Sequence, residues 1–251
     1  MISNIFFTTL YQPIYNSLVF LVSFMPFYDI GLAVVLLTLV VKFILFPLAH
    51  KTTKTQASIK VFEPEVQRLK EEYKEDKQEQ SRKIMELYKK HGVNPFSGCL
   101  LFLVQFPIII ALYWVFWKGL ENGINTEQLY SFVIAPAKIS TDFLGLIDIS
   151  GRSFFLAALA GISQYFQIKL SMPSTLPKKE GAPASFKEDF KRSFQLQMRY
   201  GLPVFVFFIA YTISAVIALY WLTSNLFSIV HELFVKRKVT QLLSNKEEGV
   251  V

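Results

Sequence analysis

The chain has 251 residues, with 26 Lys and Arg against 19 Asp and Glu for a net charge of +7, yet 52% of it is hydrophobic and 25 residues are Phe. With a mean hydropathy of +0.37, this composition points away from a soluble globular domain and toward an integral membrane protein. Cys99 is alone, which excludes a disulfide framework, and His50, His91 and His231 lie far apart without metal-ligand spacing. Neither a metal nor any other cofactor is expected.

The elements follow in chain order. Residues 1–28 hold the apolar stretch Ile14–Phe27, interrupted by Asn16, Ser17, Ser23 and Pro26, which reads as an amphipathic interfacial helix on the extracytoplasmic side. Ile30–Ala49 (IGLAVVLLTLVVKFILFPLA) is 20 residues long, about 30 Å of helix, and matches the hydrocarbon thickness of a bilayer. Residues 29–49 are therefore the first predicted span. Residues 50–95 read as a helical hairpin: Pro64 suits a first helical turn, Val66, Leu69 and Tyr73 follow at helical spacing, and Ile84, Leu87 and Tyr88 form the facing stripe. Its turn is expected at Glu75–Gln80. Residues 96–117 are the second span. Residues 118–152 form a loop whose Phe132, Phe143, Leu144 and Ile147 suggest another interfacial helix. Residues 153–171 are the third span, and residues 172–199 a loop rich in Pro, Lys and small residues. The apolar run Gly201–Phe234, 34 residues, is too long for one span. It divides into spans at 200–213 and 214–234 around a hairpin near Ser214, leaving 235–251 as a basic tail.

Charge sets the expected orientation. Residues 49–95 carry eleven Lys and Arg, residues 171–199 six, and the tail four, whereas residues 118–152 carry three and residues 1–41 none. By the positive-inside rule the basic segments are cytoplasmic, the N-terminus is outside and the C-terminus inside. The positive charge is thereby explained without a nucleic-acid site. The N-terminus lacks the basic region of a signal peptide and the arginines of a transit peptide, so a bacterial inner membrane is the expected address; removal of an N-terminal precursor segment is compatible with it.

The polar residues inside these spans are unevenly placed. Lys42 lies in the first apolar run without a carboxylate beside it, and the other spans are read as supplying no acid to pair with it. An intramembrane ammonium costs roughly 2.5–3.5 kcal/mol on insertion scales and marks a functional site by default. Thr38 sits one turn away. At the same expected depth stand Gln105 of the second span; Gln164, Gln167 and Ser171 on one face of the third; and Tyr220, Ser224 and Ser228 on one stripe of the fifth, with Thr223 and Asn225 beside it. All gather toward the cytoplasmic half, while the outer half is aliphatic and aromatic. A pore needs polar lining through its full thickness; a groove open to the cytoplasm, in which Lys42 stays hydrated, fits better. The competing expectation for the Gln, Ser, Thr and Asn residues is helix-to-helix hydrogen bonding alone. The expected fold is an all-α integral membrane protein of five spans around a cytoplasm-facing hydrophilic groove, with a cytoplasmic helical hairpin.

Three strings carry a resemblance. LTLVVKFILFPLAHKTTKTQ and its continuation to NPFSGCLLFLVQFPIIIALYWVF run from the first span to the second; LAGISQYFQIKLSMP lies in the third; MRYGLPVFVFFIAYTISAVIALYWLTSNLFSIVHE crosses the fourth and fifth. Together they resemble the YidC/Oxa/Alb membrane protein insertase family across nearly the whole chain, and the opening YQPIYNSLVFLVSF is similar to that family's amphipathic helix. The resemblance implies a non-enzymatic insertase and chaperone whose groove holds the polar part of a nascent membrane protein. The lipid bilayer, the Sec translocon and the ribosome are its implied surroundings and partners. The expected groove residues, read from depth and helical spacing, are Lys42, Thr38, Gln105, Gln164, Gln167, Tyr220, Ser224, Asn225 and Ser228. The family's groove cation is usually Arg, so Lys42 is a departure, because a guanidinium holds its proton more firmly than an ammonium. On this resemblance the chain is expected to be a short form, without the large extracytoplasmic domain and extra first span of some members or their long basic ribosome-binding tail. A small transporter for an anionic solute and a structural assembly factor are the alternatives; an intramembrane enzyme lacks a paired nucleophile and base.

Overall fold

The computed structural model describes residues 2–94, 97–116, 123–172 and 193–248, and they are almost entirely helical. The chain starts with α1 (Ile2–Phe6) and α2 (Gln12–Phe24), joined by a π turn over Phe7–Tyr11. A second π turn, Gln197–Gly201, leads into the helix Leu202–Ile213. Both have one sequence cause. Pro13 and Pro203 stand two residues beyond these turns and lack the N–H that would close the ordinary helical bond. The turn therefore widens, and Gln12 and Leu202 donate instead to Phe7 and Gln197.

The predicted first span is not one straight helix. α3 (Ile30–Ile44) ends at Leu45, and α4 (Phe46–Val61) leaves at 67° to it. Pro47 explains the break, since its ring cannot sit against the carbonyl of Phe43 in a continuous helix. Lys42 thus occupies the last turn of α3 rather than the middle of a span.

The hairpin arm follows as α5 (Glu63–Glu72), with Pro64 in its first turn, and α6 (Lys77–Lys90). Its turn is Tyr73–Asp76, earlier than the expected Glu75–Gln80. Asp76 is the reason: its carboxylate accepts from the backbone N–H groups of Gln78 (3.0 Å) and Glu79 (2.9 Å) and starts α6 at Lys77. Gln80 then folds back, buried, to donate to the carbonyls of Lys70 (2.7 Å) and Tyr73 (3.3 Å). Burial between the two helices, with the Glu63 carboxylate nearby, pushes the Tyr88 phenol above its ordinary pKa.

Three long helices complete the bundle after α7 (Ser97–Trp114): α8 (Phe154–Ser171), α9 (Leu202–Ile213) and α10 (Ala215–Glu248). Ser214, in an extended conformation, separates α9 from α10. α10 is the spine and packs on α3, α4 and α8. α8 meets α9 through small residues: a Cβ on Gly161 would lie 3.1 Å from the Pro203 carbonyl and 3.1 Å from the Phe207 Cβ. Among the described residues, three helices are long and apolar enough to cross a membrane, Asn4–Phe24, Ser193–Ile213 and Ala215–Arg237, and a fourth if the bent pair Ile30–Ile44 and Phe46–Ile59 is one span. Leu103–Trp114 is a shorter apolar helix.

The loop that was expected to hold an interfacial helix has none among its described residues, 123–152. It contains a single 3-10 turn, Thr126–Gln128, and the hairpin β1 (Asp142–Phe143) and β2 (Ile147–Asp148). Leu144 and Gly145, both at positive φ (55° and 68°), make the tight turn that a helix would not tolerate. The apolar residues thus alternate on strands and turns instead of lining a helical face.

Polar residues of the helices hold this loop in place. The buried Asp29 carboxylate caps α3 through Gly31 (2.7 Å) and Leu32 (3.1 Å) and accepts from Leu144 (2.8 Å) with its other oxygen. Phe143 covers Gly31 so closely that any Cβ there would meet it at 2.5 Å. Asn16 donates to the Gln128 carbonyl (2.9 Å) and accepts from Tyr130 (2.6 Å). Asp29→Ala would leave three backbone donors without their acceptor. It is expected to destabilise the detergent-solubilised protein by about 1–3 kcal/mol, read as a lowered thermal midpoint; an unchanged midpoint would show that the loop is not anchored there.

Candidate functional site

Lys42 reaches from the last turn of α3 to α10, where its ammonium donates to Ser228 Oγ at 3.3 Å. Ser228 passes its own hydrogen to the Ser224 carbonyl at 2.9 Å. Ser224 and Tyr220 follow at successive turns of α10, and Gln105 of α7 donates to the Tyr220 phenol. Lys42, Ser228, Ser224, Tyr220 and Gln105 thus line one polar stripe across α3, α10 and α7. Tyr220 and Ser224 are buried, whereas Lys42, Gln105 and Ser228 keep part of their surface open.

A second run follows α8. Gln164 donates to Gln167 (3.3 Å), Gln167 to Ser171 (3.0 Å), and Ser171 to the Glu232 carboxylate of α10 (2.5 Å). The helical spacing of Gln164, Gln167 and Ser171 does bring them onto one face. Lys236 closes the run, pairing with Glu232 at 3.0 Å and donating to the Leu170 carbonyl at the end of α8.

Two of the predicted site residues serve other ends. Asn225 is buried in the seam between α8 and α10, donating to Ser163 Oγ (3.1 Å) and the Ala160 carbonyl (3.4 Å). Thr38 is buried and bonds back to its own helix at the Val34 carbonyl (2.7 Å). Both do the work of helix packing.

Glu232 corrects the expectation that no other span supplies an acid. It falls inside the predicted 214–234 span and is 4% exposed. Its carboxylate is engaged by Lys236 and Ser171 rather than by Lys42. The i, i+4 spacing of Glu232 and Lys236 was the available signal. Sequence reasoning also missed that His50 of α4 and His231 of α10 meet, Nδ1 to Nε2 at 3.2 Å, beside Phe46. Nothing in a separation of 181 residues announces that contact. Among the described residues, no group of three or more His, Cys, Asp or Glu converges as a metal site.

This arrangement offers a cation on a hydroxyl partner, amides able to donate and accept, and apolar helix faces around them. The comparisons with known proteins bear on the family. The family model described as 60Kd inner membrane protein matches residues 20–242, and the chain belongs to that family, the YidC/Oxa1/Alb3 group. Its relatives include the proteins named Membrane protein insertase YidC of Francisella tularensis subsp. novicida (strain U112) and of subsp. tularensis (strain WY96-3418). Each is 34% identical over 207 residues, covering 82% of this chain but 32% of the relative. The chain thus spans about a third of the length of the curated relatives it matches.

Breaking one half of the buried pair tests the second polar run. Lys236→Ala leaves a carboxylate 5% exposed without its cation, and a loss of about 3–5 kcal/mol in stability is expected. Adding Glu232→Leu should recover most of it. Equal stability of the single variant and the parent would show that the pair does not close the α8–α10 seam.

Proposed function

We propose that this protein is a non-enzymatic membrane protein insertase and chaperone of the bacterial inner membrane. In this reading it holds the polar segment of a nascent client in a groove while the client's apolar segment passes into lipid. The observation that carries the reading is Lys42, an ammonium at the end of an apolar helix whose recorded side-chain partner is the Ser228 hydroxyl. Family membership supports it, and so does the name borne by the relatives.

The proposed architecture has five spans (α3 with the start of α4, α7, α8, α9 and α10) and the first helices, Ile2–Phe24, at the outer surface. The hairpin arm and the C-terminus face the cytoplasm, on the strength of the positive-inside rule. The groove opens on that side. Lys42, Gln105, Ser228, Gln164 and Gln167 present open polar surface to a client; Tyr220 and Ser224 back them, and Thr38 and Asn225 fix the walls. A client carboxylate about 4 Å from Lys42 would gain up to about 4 kcal/mol at an effective dielectric of about 20. That offsets much of the cost of bringing its charge into the membrane without an energy-coupling reaction. The Sec translocon and the ribosome are proposed as partners that deliver such clients.

Complementation of a bacterium depleted of its own insertase tests this. Lys42→Arg should support insertion of a single-span client with an acidic tail. Lys42→Ala should lose roughly tenfold, the equivalent of 1.4 kcal/mol of the lost attraction, and Lys42→Glu more. Full rescue by all of them would overturn the charge-based mechanism. No rescue by well-expressed parent protein would overturn the insertase reading itself.

A further inference from the structure

We propose that His50 and His231 form a proton-sensitive clasp that holds α4, and with it the hairpin arm, against α10. His50 Nδ1 and His231 Nε2 stand 3.2 Å apart, with the ring centroids at 5.4 Å. A hydrogen bond at that distance needs an N–H on one nitrogen and a lone pair on the other, so at least one ring must be neutral. Two imidazolium rings would instead point N–H at N–H.

The surroundings sharpen that choice. Phe46 stacks on His50 with centroids 5.6 Å apart and lies 4.8 Å from His231. Both rings border a cavity of about 320 Å³ whose other walls include Phe43, Phe227, Val230 and Phe234. The charged groups acting on His231 are His50 from α4, Lys42 from α3, and Glu232 beside it on α10. Glu232 is already engaged by Lys236 and Ser171, so a second positive charge meets Lys42 without a free carboxylate to balance it. α8 contributes Lys169, which lies 5.9 Å from the Tyr165 ring centroid. On α7, Tyr113 is the titratable residue among positions 103–116.

The clasp also sits where closure has leverage. It lies just past the 67° bend at Leu45, at the start of the α4–α10 seam, and Ala57 against Val235 forms a small apolar contact further along. α4 carries α5 and α6 beyond it. With one ring neutral the pair is bonded and α4 rests on α10. Protonation of both rings removes the lone pair that the bond needs and releases α4, with the arm it carries, about the Leu45 bend. His50 is exposed, so protons reach the pair without the bundle opening. The device is independent of which client the groove holds.

Electron-electron spin resonance on the full chain in lipid nanodiscs tests it. Nitroxides at Lys54→Cys on α4 and Leu233→Cys on α10, both exposed positions, are read in a Cys99→Ser background. Between about pH 7.5 and about pH 5.5, the parent should shift from a short, narrow distance to a longer, broader one. His50→Gln and His231→Gln, which cannot take up that proton, should each give a distribution that no longer responds to pH. No shift in the parent, or the same shift in both Gln variants, would overturn the clasp.

Discussion

A positive charge at the end of an apolar helix is the constraint around which this bundle is arranged. Lys42 closes α3 in its last turn, where the negative end of the helix dipole favours a cation. Pro47 then forbids continuation, and the chain turns through 67°. α3 packs on α10, which brings Ser228 within reach of the ammonium, and Tyr220 of the same helix meets Gln105 of α7.

The polar residues of the bundle fall into two physical kinds. Asn225, Ser163 and Thr38 have their hydrogen bonds met within the helices and are buried. They fix distances between helices, as such groups do where water is scarce. Lys42, Gln105, Gln164 and Gln167 have partners too, but they are only half-buried. An amide with part of its surface open can exchange one partner for another of equal strength. The ion pair of Glu232 and Lys236 belongs to the first kind and ties down the end of α8.

Much of this was legible in the sequence because membrane helices announce themselves by apolar length. The separation of α9 from α10 at Ser214, the start of α5 at Pro64 and the shared face of Gln164 and Gln167 follow from run length, proline and helical spacing. What was not legible depends on contacts between distant segments. The hairpin at Asp142–Asp148 owes its place to the Asp29 carboxylate and to two residues at positive φ, so its apolar residues imitated a helical stripe. Asn225 and Ser224 are neighbours in sequence, yet one faces the α8 seam and the other the Tyr220 phenol. The bend at Leu45 was signalled by Pro47, but apolar length outweighed it.

The account turns on the open polar residues being wet from one side of the membrane. Single cysteines at Gln105 and Gln164, with Phe208 on the exposed face of α9 as a lipid-facing control, can be tested in a Cys99→Ser background with a membrane-impermeant maleimide on sealed vesicles of either orientation. The account predicts rapid labelling at Gln105 and Gln164 from the cytoplasmic side, none from the other, and none at Phe208 from either. Labelling from the outer side, or no labelling of Gln105 and Gln164 from either side, would contradict it.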